Sequence, residues 1–147
     1  YHVRWFEAMA RKLSGYTDRC VLSFLDDYRH LGKVSRELGF RAPDRREMRE
    51  LAEKFAETAQ RYGLTLQTCA EAIDLIEFGI THGRCIDGEL FERITGQPFD
   101  QRKDPNQRSE CGCMTAVDIG LYDTCPNGCR YCYANYSDDS IRRNMKL

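Results

Sequence analysis

The sequence predicts an α/β fold assembled from parallel βα units. Three observations lead there. Stretches with apolar residues at helical spacing alternate with short apolar runs of strand length. Capping residues and glycines mark the helix boundaries. Acidic and cysteine residues gather directly after the apolar runs, where the carboxyl ends of parallel strands carry chemistry.

Residues 3–14 set Trp5, Phe6, Met9, Ala10 and Leu13 on one helical stripe, closed by Gly15. "RCVLSFLDD" then reads as a buried strand ending in Asp26 and Asp27. A short helical piece follows around Tyr28 to Leu38, then a loop with Gly and Pro. The clearest helix spans about 45–62. Asp44 caps it, Glu47 completes a capping box, and Gly63 ends it. Met48, Leu51, Ala52, Phe55, Ala59 and Tyr62 form its core stripe.

"LTLQTC" follows as a short alternating strand, whereas Glu71 to Gly83 fits no single pattern. Asp87 caps a short helix through Ile94, and residues 97–110 form a polar loop with two prolines. "AVDIGLY" (116–122) reads as a strand, and residues 132–145 as a terminal helix. On this reading Asp26, Asp27, Cys69, Glu71 and the cysteine loop share one rim.

Charge excludes little and favours little. Lys plus Arg number 22 against 23 Asp plus Glu, so no global field attracts nucleic acid or an anionic membrane. No apolar run approaches the roughly 20 residues of a membrane span, and no secretory signal is visible. A chain that opens at Tyr1 is expected to have its natural beginning upstream. Eight cysteines are many for this length; their close spacing suggests metal or redox chemistry in the cytoplasm rather than a disulfide framework.

The densest group is "TCPNGCRYCYAN", where Cys125, Cys129 and Cys132 make a C-x3-C-x2-C run with Tyr131 before the last cysteine. A structural zinc site normally takes four protein ligands. Three thiolates on one loop suit three irons of a [4Fe–4S] cubane and leave the fourth iron to an exogenous ligand. Borrowing Cys111 or Cys113 as a fourth ligand would instead give a zinc-ribbon-like site.

This segment resembles the signature of radical S-adenosylmethionine (SAM) enzymes. The resemblance implies that Cys125, Cys129 and Cys132 ligate the cluster and that Tyr131 lies near the adenine. It implies further that SAM chelates the open iron and is reductively cleaved to a 5′-deoxyadenosyl radical, which abstracts hydrogen from a substrate. An electron donor such as a flavodoxin or ferredoxin would be the partner. "RCVLSFLDDYR", "CAEAIDLIEFGITHGRCID", "KDPNQRSECGC" and "DIGLYDTCPNGCRYCYANYS" together resemble the C-terminal part of the bacterial domain-of-unknown-function 1848 family, over about residues 19–137. Members are distantly similar to spore photoproduct lyase. The implied fold is a partial TIM-barrel-like radical SAM fold of permuted order, since few residues follow Cys132. Residues 1–110 would supply its βα units and residues 111–147 its cysteine-rich cluster-binding segment. The chain would then be a C-terminal portion, and its exposed parallel edge would favour self-association.

Cys69, Cys85, Cys111 and Cys113 form a separate set of four, enough to ligate a second, auxiliary [4Fe–4S] cluster or a zinc ion. Gly112 lets the C-G-C pair turn both thiols toward one centre. Cys20, inside a strand, is read as core. Asp26, Asp27, Glu71 and Asp74 are candidates for polar contacts or for solvated strand ends. Lys103 and Arg108 are candidates for the SAM carboxylate or plain loop residues. His2, His30 and His82 lack ligand spacing. Two rival functions remain beside the radical SAM enzyme: a zinc-binding structural or nucleic-acid module, and an iron–sulfur electron carrier without SAM chemistry.

Overall fold

Helix capping and small-residue packing set the frame. In the computed structural model, which describes residues 1–26, 32–132 and 134–146, α1 (His2–Leu13) buries Phe6 and Ala10. α3 (Arg45–Arg61) starts at a full capping box. The Asp44 carboxylate accepts the Glu47 N–H, and the Glu47 carboxylate accepts that of Asp44, each at 2.9 Å. Ala52, Thr58 and Ala59 give α3 a buried face of small side chains. The Phe6 and Phe55 rings meet with centroids 4.8 Å apart, and Arg61 pairs with Glu7 at 2.8 Å.

Three parallel strands lie in the order β1 (Arg19–Leu22), β2 (Thr65–Thr68), β3 (Thr81–His82). Arg19 stands opposite Thr65 and Leu22 opposite Thr68, while Gln67 stands opposite Thr81. Phe6, Ala10, Ala52, Ala59, Leu64, Leu66, Ile73, Leu75 and Ile80 form the core, with Cys20 packed alongside as expected. A 3-10 turn (Ile76–Phe78) separates β2 from β3. α4 (Gly88–Thr95) is capped by Asp87, whose carboxylate also holds Arg19 at 3.0 Å. Burial pushes the Asp87 carboxyl upward, but the Arg19 bond and the Leu90 N–H outweigh it and hold it below the usual range. α2 (Gly32–Leu38) and α5 (Asp138–Asn144) are each seven residues long.

The chain divides into two units. One comprises Tyr1–Leu25 and Ala42–Ala116; the other comprises Asp26–Arg41 and Val117–Leu147. Cys111 and Cys113 belong to the sheet-bearing unit. The mixed α/β class and the parallel pairing agree with the sequence reading. Among the described residues the sheet has three strands, short of the eight that close a TIM barrel.

Local differences have local causes. β1 stops at Leu22 because the Phe24 N–H is taken by the Glu71 carboxylate at 2.8 Å. Residues 116–122 are not a strand. Val117, Ile119 and Leu121 are 87%, 94% and 78% exposed, so their alternation meets no second layer. The Asp118 carboxylate instead accepts the Gly120 N–H at 2.7 Å, a side-chain turn that competes with a ladder. The terminal helix begins only at Asp138, where Ser137 caps it through the Ser140 N–H. Asp27, Tyr28 and His30 lie outside the described residues.

Candidate metal centres

Two cysteine groups arise in different ways. The first is built at the carboxyl ends of the strands. Cys69 follows β2 directly, its N–H donated to the Leu22 carbonyl at 2.9 Å, and Ala70 then turns the chain with a φ of 50°. Gly83 continues β3 by donating to the Thr68 carbonyl at 2.8 Å, which brings Cys85 alongside Cys69. Their sulfurs are 3.1 Å apart, and both thiols are free.

The loop 103–114 closes as a narrow hairpin. Lys103 bridges Met114, and the Asp104 N–H donates to the Cys113 carbonyl at 3.0 Å. The Met114 N–H reaches the Ile86 carbonyl at 3.1 Å, so the hairpin is sewn to the turn that carries Cys85. A β-carbon on Gly112 would come within 3.2 Å of Arg84 Cγ and 3.6 Å of the Gly83 carbonyl. Gly112 thus lets the two turns touch, which places the nearly buried Cys111 and Cys113 at the rim.

The four thiols interact. Cys113 Sγ accepts the Ile86 N–H at 3.4 Å, with the Cys111 and Cys85 thiols near enough to affect its titration. Burial raises the Cys113 thiol, yet these groups and the Cys85 N–H outweigh it and lower it from its ordinary value. Cys85 is pushed up to about 12, first by its hydrogen bond with Cys69, then by burial and by the charges of Cys69, Cys113 and Cys111. Burial chiefly raises Cys111.

The second group is contiguous. Cys125 and Cys129 are exposed and Cys132 is half-buried, all on one loop whose ends are tied together. The Asp123 N–H donates to the Ala134 carbonyl at 2.9 Å, and the Asp123 carboxylate accepts the Tyr136 and Ser137 N–H groups at 2.6 and 3.2 Å. Asp123 holds a φ of 55°, a left-handed conformation that Asp tolerates better than most residues. Asn135 Nδ2 donates to the Cys125 carbonyl at 2.7 Å, and the Tyr122 and Tyr136 rings stack. Tyr131 donates its hydroxyl to the Asp26 carbonyl at 2.7 Å and sets its ring edge-on to Phe40, while Arg130 pairs with Glu37.

Asp123 and Asn135 went unnoticed in the sequence, where an Asp or Asn beside cysteines is an ordinary turn residue. Glu71 is buried and serves the fold, accepting from the Phe24 N–H and the Ser23 hydroxyl. Asp74 accepts the Ile76 N–H at 2.9 Å, and His82 Nδ1 contacts the Thr68 hydroxyl. Lys103 donates to the Ser109 carbonyl at 2.6 Å. A cleft of about 940 Å³ lies at the opposite strand ends, between Arg19, Thr65, Asp87 and Arg93, and no thiol lines it.

Among the described residues no three His, Cys, Asp or Glu side chains stand as a ready-made metal cage. At the rim the Cys69–Cys85 spacing is tighter than the roughly 3.8 Å edge of a zinc–thiolate tetrahedron, which follows from a Zn–S bond of about 2.3 Å. In the loop, the three thiols sit in a unit without another cysteine. Among the described residues no helix is long and apolar enough to cross a membrane. No curated protein and no solved structure matches the chain. The family model described as Domain of unknown function (DUF1848) matches residues 1–134, nearly the whole chain, and the chain belongs to that family.

Proposed function

We propose that this chain carries the cluster-binding loop of a cytoplasmic radical SAM enzyme, with Cys125, Cys129 and Cys132 as the ligands of a [4Fe–4S] cluster. The observation that supports this reading is the donor set itself: three free thiols within eight positions of one tied loop, two of them exposed, in a unit that holds no fourth cysteine. Such a set is one ligand short of a closed shell. When bound, the cluster and SAM would supply one-electron cleavage of SAM and hydrogen-atom abstraction from a substrate.

The chain's own residues orient and expose this loop. Asp123 pins its base by accepting two N–H groups, and Asn135 holds the first cysteine by its carbonyl. Tyr131, the residue that would lie near the adenine, is tethered through its hydroxyl to the Asp26 carbonyl and sets its ring edge-on to Phe40. Exposure of Cys125 and Cys129 leaves room for cofactor and for a ferredoxin- or flavodoxin-like electron donor. The parallel βα arrangement is consistent with part of a permuted TIM-barrel-like fold.

Anaerobic reconstitution of the full-length protein tests this. The loop should take up about four irons, with the broad visible absorption of a cluster. Addition of SAM and reductant should then yield 5′-deoxyadenosine. A Cys129→Ala protein that cleaves SAM at the wild-type rate would overturn the assignment. Iron uptake without any SAM cleavage would favour an electron carrier instead.

A further inference from the structure

We propose that Cys69, Cys85, Cys111 and Cys113 form a four-thiolate site for a single zinc-type ion that locks the 103–114 hairpin onto the sheet. This inference is independent of the radical SAM reading, because all four residues belong to the sheet-bearing unit.

Three separate stretches of chain deliver these thiols to one rim, and backbone contacts hold each in place. Cys69 is fixed by the Leu22 carbonyl at the end of β2, and Gly83, just before Cys85, by the Thr68 carbonyl. Cys113 is held between the Ile86 N–H on its sulfur and the Asp104 N–H on its carbonyl. The Ile86 bond is of the kind that stabilises a metal-bound thiolate from outside the coordination shell. Gly112 eases the approach of the two turns, since a β-carbon there would crowd the Arg84 side chain at 3.2 Å.

The sulfur spacing selects the kind of centre. A single tetrahedral ion needs its sulfurs about 3.8 Å apart, so the 3.1 Å Cys69–Cys85 pair has to open by less than an ångström. A cubane places each thiolate on a different iron, on the outside of the cluster, and would drive the same sulfurs much further apart. Between a mononuclear ion and a cubane, this spacing favours the mononuclear centre. Four thiolates, with no carboxylate or water to complete the shell, make a closed site with a structural rather than a catalytic role. The ion would also neutralise the mutual repulsion of the crowded thiolates as their protons leave.

The test is metal stoichiometry of the full chain. Purified protein should bind about one zinc that survives dialysis. Cobalt(II) titrated into the metal-free chain should give thiolate-to-metal charge-transfer bands and the visible bands of a tetrahedral four-sulfur site. Cys111→Ser with Cys113→Ser should lose the zinc, whereas Cys129→Ala should keep it. That contrast separates this site from the loop, whose iron should be unaffected by the double replacement. If the double variant fails to fold, the cobalt spectrum of the unaltered chain still decides. Absence of zinc binding, a cobalt spectrum with fewer sulfurs, or a Cys69–Cys85 disulfide in protein kept reduced would overturn the proposal. So would an iron content near eight, as for two cubanes, that the double replacement halves.

Discussion

The two units contrast in what holds them together. The sheet-bearing unit closes over a core from Phe6 to Ile80, and four of its five thiols are brought near one another by strands and turns distant in sequence. The other unit has no buried residue among those described; polar backbone contacts around Asp123 and Tyr131 shape its three-thiol loop. One cysteine group is therefore an outcome of folding, and the other lies within a stretch of twelve residues.

The sharpest way to break this contrast is at the loop. Cys129→Ala should abolish iron uptake there and with it 5′-deoxyadenosine formation, while the main thermal transition stays where it was. Iron analysis and calorimetry on the same sample read both. A large shift of the melting temperature would mean that the core-bearing unit depends on the loop's metal.

Removing core from the other side should do the reverse. Leu75 is 1% exposed, and Leu75→Ala should cost about 2–5 kcal/mol in chemical denaturation. Iron in the three-cysteine loop should persist under native conditions. Simultaneous loss of that iron would mean that the loop depends on the core-bearing unit.

A smaller effect is expected at Asp123. Asp123→Ala gives up two backbone hydrogen bonds and keeps the left-handed φ, at about 1–3 kcal/mol of local order. Asp123→Gly loses the same bonds but relieves the backbone, so it should be milder. Proteolysis within 121–137 would rank the two, and equal susceptibility would show that the backbone strain is immaterial. Smallest of all, Asp44→Ala removes half of the capping box and should cost about 1 kcal/mol, read in the denaturation midpoint. Loop iron should not change.

Local signals carried well wherever the cause was local. Asp44 and Glu47 announced the start of α3, and Asp87 that of α4, because a cap is satisfied within three residues of itself. β3 escaped notice because Thr81 and His82 are both exposed and offer no apolar alternation. Residues 116–122 misled for the opposite reason: alternation was present, but no neighbouring strand paired with it. Strand pairing is a contract between distant segments, and one segment cannot reveal whether its partner exists.

The same distinction separates the two cysteine groups. The C-x3-C-x2-C spacing is contained in eight consecutive positions, so the residues alone marked the loop. Cys69, Cys85, Cys111 and Cys113 were a set only by subtraction, with nothing in their spacing to say that they meet. Their meeting required the parallel pairing of β2 with β3 and the hairpin that carries Gly112 against Gly83. The tertiary structure decided that placement, because closing loops of tens of residues depends on the free energy of the core they enclose, not on the residues at their ends.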